Sequence, residues 1–282
     1  MEKAALILEG GGLRQMFTDG VVDQLINREI EFEYTNGVSA GAMCGINYLT
    51  KQAGRNRDIN LKFINDPRYM SMRNLFSHGD IFDFNFMLHG EVEKEYPFDY
   101  DKMKSTKQKM EITATNCVTG EANYFKKTDP SVLTALLASA SMPLLSKQKY
   151  INGIPYLDGG IADSIPVERA KKLGYKKIVV VLTRDRTYWK KANSGLINLM
   201  ARCRYHKYPE FVEKFVNRPQ RYNETLKKIR NDKSIFVIEP NRPVTIARTE
   251  NDAAKLESLY NEGKLVINSR MDQLEEYLDK KD

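Results

Sequence analysis

The sequence predicts an α/β fold built on a mainly parallel central sheet, and three observations carry that reading. The first fifty residues run strand, glycine turn, helix, and then repeat the order, the pattern of helices crossing over a parallel sheet. The run 177–183 (Lys-Ile-Val-Val-Val-Leu-Thr) is β-branched and unbroken, as a strand covered on both faces should be. The chain has 282 residues with 41% hydrophobic and 29% charged, long enough to bury a core without disulfides.

Taken in order, Ala4–Glu9 reads as a first buried strand. Met16, Val21, Val22, Leu25 and Ile26 recur at helical spacing and predict a helix over 14–28. Phe32–Gly37 reads as a second strand, and Ala40–Leu49 as a helix of small residues able to pack closely on a sheet. Residues 65–100 are irregular and rich in aromatics, so the segment is expected either to cap a site or to pack peripherally. Hairpins are expected around Thr119-Gly120 and Asn152-Gly153, and short helices over 131–139 and 167–173. Residues 177–183 are expected as the central strand, 196–231 as a basic helical stretch and 235–238 as a further buried strand. A charged helix is expected over 251–281 with a break at Gly263. The predicted organisation is a catalytic core at 1–185 and a helical, basic region at 186–282 packed on the same domain.

Composition narrows the function classes. Three scattered cysteines (Cys44, Cys117, Cys203) and three histidines (His78, His89, His206) supply no metal-ligand spacing, and the thiols fit a reducing compartment. No stretch approaches the roughly 20 apolar residues of a membrane span, and the N-terminal apolar run is too short for a signal peptide, so cytoplasmic residence is the expectation. Net charge is +7, with much of the excess between Arg184 and Lys233. Such a face suits peripheral contact with anionic lipid, and equally an ordinary solvated surface.

The chemistry centres on Gly37-Val38-Ser39-Ala40-Gly41, a Gly-x-Ser-x-Gly sequence between a strand and a helix. That is the layout of a nucleophile elbow, in which a sharp turn exposes a serine hydroxyl at a helix N-terminus. Five residues match by chance often, so a second element is needed. No histidine has an orienting carboxylate nearby, which argues against a three-residue triad. The candidate base is Asp158 in Leu157-Asp158-Gly159-Gly160, although a lone Asp-Gly is more often a plain turn. A third element, Glu9-Gly10-Gly11-Gly12-Leu13-Arg14, can aim backbone N–H groups at an oxyanion, with Arg14 adding charge. Its rival reading, dinucleotide binding, fails at Gln15, where the pattern requires glycine.

These blocks, with Ala138-Ser139-Ala140-Ser141-Met142-Pro143, occur in an order that resembles the patatin-like phospholipase family over about residues 4–184. Arg68-Tyr69-Met70-Ser71 and Gly79-Asp80-Ile81-Phe82-Asp83-Phe84 are similar to a bacterial subgroup of it. The resemblance implies a three-layer α/β/α fold and a lipid acyl hydrolase that needs neither metal nor cofactor. It implies Ser39 as nucleophile, Asp158 as base, Gly10, Gly11, Gly12 and Arg14 as the oxyanion loop, and Gly37, Gly41, Gly159 and Gly160 in support. The substrate expected is a phospholipid or another fatty acyl ester, cleaved through an acyl-serine. Gln15 departs from the family, which commonly has glycine there. A membrane- or nucleic-acid-associated binding protein with a vestigial hydrolase site is the alternative, drawing on Gln15 and on Trp189, Leu196, Ile197 and Met200 beside Lys190 and Lys191; no nucleic-acid partner is expected under the leading reading.

Overall fold

The structure, a computed structural model, describes residues 1–280. The chain alternates as expected at its start: β1 (Glu2–Leu8), α1 (Gln15–Asn27), β2 (Phe32–Val38), α2 (Ala40–Thr50) and α3 (Arg55–Phe63). The irregular segment then folds as four short helices, α4 (Met72–His78), α5 (Phe84–Leu88), α6 (Glu91–Glu95) and α7 (Tyr100–Ser105). Next come the hairpin β3 (Lys109–Asn116) and β4 (Ala122–Lys126), α8 (Val132–Ala140), and the hairpin β5 (Lys149–Ile151) and β6 (Ile154–Asp158). After α9 (Val167–Lys172) and β7 (Ile178–Val181), the chain continues through α10 (Gly195–Arg204), α11 (Pro209–Asn231), β8 (Ile235–Ile238), α12 (Ala253–Ser269) and α13 (Met271–Asp279).

The sheet has eight strands, of which β8, β7, β1, β2 and β3 run parallel. β1 shows how the layers form. Ala4, Leu6 and Leu8 face a core shared with α1, α2, α12 and α13, whereas Ala5 and Ile7 face a second core with α9 and α11. Alternation along one strand thus feeds two helical layers, giving the three-layer α/β/α sandwich.

β3 sets the site. β4 pairs antiparallel with residues 111–115 of β3, occupying one edge. The opposite edge is shared end to end: β2 pairs with 109–113 and β6, running the other way, with 114–116. Val38 lies opposite Thr113 and Asp158 opposite Ala114. The end of β2 and the end of β6 therefore meet head to head, about one residue spacing (~3.4 Å) apart along β3.

Two expectations need correction, the central place of one strand and the helix break at Gly263, and two others become specific. The strand at 178–181 is fully buried but is not central; it lies second from the edge, covered by β8. The 196–231 stretch is two helices, because Pro209 suits the first position of a new helix and not the interior of an old one. The C-terminal helix breaks at Arg270 and not at Gly263; its expected last residue, Lys281, lies outside the described residues. Gly263 is instead a contact residue. A Cβ there would lie 2.1 Å from the Phe17 carbonyl oxygen of α1, and one on Gly20 of α1 would lie 2.1 Å from the Tyr260 carbonyl of α12. The two helices cross backbone against backbone, and a side chain at either glycine would separate them. Finally, the aromatics of 65–100 pack among themselves and around α3, with Tyr69, Phe86 and Tyr96 each in ring contact with Phe63, so the segment is a folded flap.

Candidate active site

Ser39 follows β2 and caps α2 with φ 54° and ψ −127°. Left-handed backbone of this kind costs a non-glycine residue on the order of 1–3 kcal/mol and persists only when its surroundings enforce it. Here they do. A Cβ on Gly37 would lie 2.4 Å from the Ala42 Cα, and one on Gly41 would lie 2.4 Å from the Leu8 carbonyl oxygen. The turn is closed so tightly between β1 and α2 that only glycine fits on either side. The Ser39 N–H donates to Ser139 Oγ at 2.7 Å, and that hydroxyl donates onward to the Thr113 carbonyl at 2.6 Å. Ser39 itself is buried and sits at the positive end of α2.

Asp158 is the last residue of β6 and is also buried. Its N–H donates to the Ser141 carbonyl at 2.8 Å, and its Oδ1 accepts the Gly160 N–H at 2.8 Å. Ser139 and Ser141, at the end of α8, thus hold the two ends that meet on β3: one through a hydroxyl, the other through a carbonyl. Neither role is visible in the sequence beyond the small-residue block around them. Gly159 passes tightly over β3, where a Cβ would lie 2.0 Å from the Thr113 carbonyl.

The glycine loop completes the floor. A Cβ on Gly10 would lie 2.8 Å from Ser39 Cβ, and Gly12 has φ +58°. Among the described residues, no hydrogen bond occupies the N–H of Gly10, Gly11 or Gly12, whereas the next one, from Leu13, goes to the Arg248 carbonyl at 3.1 Å. Glu9, just before the loop, is buried and accepts from the Thr183 N–H, the Thr183 hydroxyl and the Tyr222 hydroxyl at 2.7, 3.0 and 2.6 Å. Arg14 is buried, and enclosure, with Arg184 and Arg248 adding to it, pushes its guanidinium down to about 10.

Ser39 borders two different cavities. One, of about 450 Å³, is polar; Gly10, Gly11, Gly12, Arg14, Asp158 and Gly160 all open onto it. The other, about 460 Å³, is apolar and lined by Leu13, Met43, Tyr69, Phe82, Phe84 and Met87, among others. It shares Met43, Tyr69, Phe84 and Met87 with a further apolar cavity of about 690 Å³ reaching Ile46, Ile59 and Leu136. Gln15, the first residue of α1, lines the two apolar cavities and not the polar one. The three histidines are exposed, and none lines the Ser39 cavities.

The polar cavity also holds residues that sequence reasoning did not single out for it: Glu9, Arg184, Tyr188, Lys190, Arg218, Tyr222 and Arg248. Most come from beyond residue 183, where no motif marked them. Among the described residues, no group of His, Cys, Asp and Glu is arranged to hold a metal ion, and no helix is long and apolar enough to cross a membrane.

Comparison with known proteins agrees with the motif order. A profile for patatin-like phospholipases matches residues 6–171, and a profile for a domain of unknown function, DUF6363, matches residues 208–279. The uncharacterized protein YjjU of Escherichia coli K12 is 28% identical over 186 residues, which is 64% of this chain and 52% of that protein, so the match spans about half of the relative. Among solved structures, VipD of Legionella pneumophila aligns over 95% of this chain and 67% of its own, with a TM-score of 0.44 and 14% identity. The profile at 6–171 covers more than half of the sequence and every motif from the glycine loop to Asp158-Gly159-Gly160, and the chain belongs to the patatin-like phospholipase family.

Proposed function

We propose that the protein is a serine acyl hydrolase that cleaves fatty acyl esters of lipids with a Ser39–Asp158 dyad. The observation that carries the reading is the position of Ser39 on the boundary between a polar and an apolar cavity. An amphipathic ester laid across that boundary puts its acyl chain among Met43, Phe84 and Met87 and its polar end beside Asp158.

In this reading Asp158 accepts the Ser39 proton as the hydroxyl oxygen attacks the ester carbonyl. The open N–H groups of the Gly10–Gly12 loop hold the oxyanion, and the helix N-terminus adds positive potential. The alcohol or lysolipid leaves with the proton, and an acyl-serine remains. Asp158 then takes a proton from water, which attacks the acyl carbon, and passes it to the departing Ser39 oxygen as the fatty acid is released. Residues 1–185 are the catalytic core, and the region from 186 on completes the polar wall of its cavity.

A peripheral membrane position is part of the proposal. Trp189, in the loop before α10, and Leu196, Leu199 and Met200 on α10 are 62%, 67%, 57% and 48% exposed, and Arg202 and Arg204 lie in the last turn of α10. An apolar face bordered by cations suits the surface of an anionic bilayer.

The test is labelling by a fluorophosphonate together with hydrolysis of a short-chain p-nitrophenyl ester. Wild-type protein should be labelled and active, and Ser39→Ala and Asp158→Asn should be inactive while folded. Vesicle binding without labelling would favour a lipid-binding protein with a vestigial site.

A further inference from the structure

The polar cavity holds far more positive charge than the proposed reaction uses. Arg14, Arg184, Lys190, Arg218 and Arg248 face it, against the carboxylates of Glu9 and Asp158. Glu9 is already engaged by Thr183 and Tyr222, and Asp158 by Gly160. Among the described residues, none of the five cations forms an ion pair with a carboxylate. The Nε atoms of Arg14 and Arg184 are buried with no hydrogen-bond partner. Among the described residues, the Lys190 ammonium rests on the Tyr222 ring, 4.1 Å from its centroid. Arg218 makes one long contact, Nε to Ser164 Oγ at 3.5 Å. A Cβ on Gly160 would lie 2.8 Å from Arg218 Nη2 and 3.0 Å from Asp158 Oδ1, so this guanidinium borders the proposed base. Burial and mutual repulsion press the same way: Arg218 is pushed down to about 10, and Lys190 well below the usual ammonium range with Arg218 and Arg248 contributing.

Arg14, Lys190 and Arg218 are enclosed, and an enclosed cation costs several kcal/mol unless an anion compensates it. Glu9 and Asp158 act on these cations through space, but they are two carboxylates against five cations, and both are already engaged. Lys190, Arg218 and Arg248 all lie beyond the matched family segment, and the last two fall within the domain of unknown function at 208–279. The loop carrying Arg248 is tied to the catalytic loop by the Leu13 N–H bond to the Arg248 carbonyl.

We infer that the C-terminal region builds a phosphate subsite, formed by Lys190, Arg218 and Arg248 with Arg14 and Arg184, that takes the anionic headgroup of the ester substrate and rejects zwitterionic headgroups. This rests on the acyl hydrolase reading for its substrate. The chemistry follows from the lining. Guanidinium forks match phosphate oxygens in pairs. A quaternary or primary ammonium on the same headgroup would be carried into a cavity already crowded with cations. Because the subsite shares its cavity with Ser39, the phosphate must lie within a few bonds of the scissile ester.

The experiment compares phosphatidic acid and phosphatidylcholine with identical acyl chains in neutral detergent micelles, which removes steering by a charged bilayer. Wild type should favour phosphatidic acid at least tenfold in kcat/KM. Arg218→Gln and Arg248→Gln should each cut that ratio about tenfold, mainly through KM; Arg248 is exposed, so its variant tests the subsite even where Arg218→Gln fails to fold. Inorganic phosphate should compete with p-nitrophenyl butyrate, and more weakly in Arg248→Gln. Equal rates on the two lipids, or a ratio untouched by both substitutions, would overturn the inference. Phosphate competition without any headgroup preference would overturn it too, by making the site one for free anion. Calorimetry of inorganic phosphate against Ser39→Ala and Ser39→Ala/Arg248→Gln reads the subsite without catalysis. Failure of fluorophosphonate labelling therefore sinks the hydrolase reading alone, and absent phosphate binding sinks the subsite alone.

Discussion

Two regions of the chain meet at the Ser39 cavity, and they contribute in different ways. Under the proposed reading, the region up to residue 185 supplies the reacting groups, held by backbone: a strained turn wedged between glycines, a strand end abutting another on β3, and a loop with open N–H groups. The region from 186 on supplies long cationic side chains reaching in from a loop, a helix and a second loop. Backbone constraints must be written in contiguous residues, because neighbours along the chain set each turn. Side chains from separate elements carry no such requirement. The reacting geometry and the recognition charge are therefore separable by mutation.

The largest effects should lie in the first region. Ser39→Ala and Asp158→Asn should each lower ester hydrolysis at least about 10³-fold while leaving the folded spectrum intact, with phosphate binding unchanged in Ser39→Ala. An Asp158→Asn protein with more than a tenth of wild-type kcat would break the comparison, because the base would then lie elsewhere.

The two regions also have to stay docked, and next in size is the change that parts them. Gly263→Val forces a side chain into the α1–α12 crossing, where even a Cβ lies 2.1 Å from the Phe17 carbonyl. Overpacking against backbone should cost about 3 kcal/mol or more, lowering the melting temperature by roughly 5–10 °C. A variant melting within about 2 °C of wild type would show that the crossing can open at little cost.

That glycine also shows what the sequence made legible. The motifs around Ser39 and Asp158, the strand–helix alternation and both hairpins were readable because each is a local pattern. Gly263 was read as a helix break, because a glycine within a helix carries no mark of whether it ends the helix or admits a neighbour. Lys190, Arg218 and Arg248 lie about thirty residues apart in a stretch where nearly every turn has a lysine or arginine, so nothing distinguished the inward cations from the solvated ones. Ser139 and Ser141 stood inside a recognised block, yet that one holds Ser39 and the other Asp158 depends on β3 bringing both ends together.

The junction has a pH dependence of its own. Burial pushes Asp19 up to about 7, beside Cys44 and Asn56, and Asp23 up to about 6, where it accepts from Tyr260 of α12 at 2.8 Å. Both folded values exceed the ordinary carboxylate range, so the folded state binds more protons than the unfolded one between about pH 4 and pH 7. Stability contributed by these groups is full below about pH 4 and is lost as pH rises through 6 and 7. Asp19→Asn removes part of that loss. Its advantage over wild type should grow from near zero at pH 4.5 to about 2 kcal/mol at pH 8, read by urea denaturation at the two pH values. A constant difference across that range would mean that Asp19 is ionised throughout in the folded protein.

Ser139→Ala is the smallest change and the one that sharpens the comparison most. Its hydroxyl accepts from the Ser39 N–H at 2.7 Å and donates to the Thr113 carbonyl at 2.6 Å. Alanine keeps the volume but leaves a buried N–H unpaired, which costs about 1–2 kcal/mol. Because that N–H belongs to the residue with φ 54°, the loss falls on the strained turn and not on the core. The turn then has the packing of Gly37 and Gly41 as its remaining restraint, and the Ser39 hydroxyl should spend less time aligned with its base. The expected result is a fall of about tenfold in kcat with KM for a neutral ester unchanged, since neither cavity loses a lining group. Substituting a cation of the C-terminal region should do the reverse, moving KM for a charged substrate more than kcat. A Ser139→Ala enzyme with full kcat would show that glycine packing alone holds the elbow. The backbone restraint would then be stronger than the hydrogen bond suggests, and the division between the two regions sharper still.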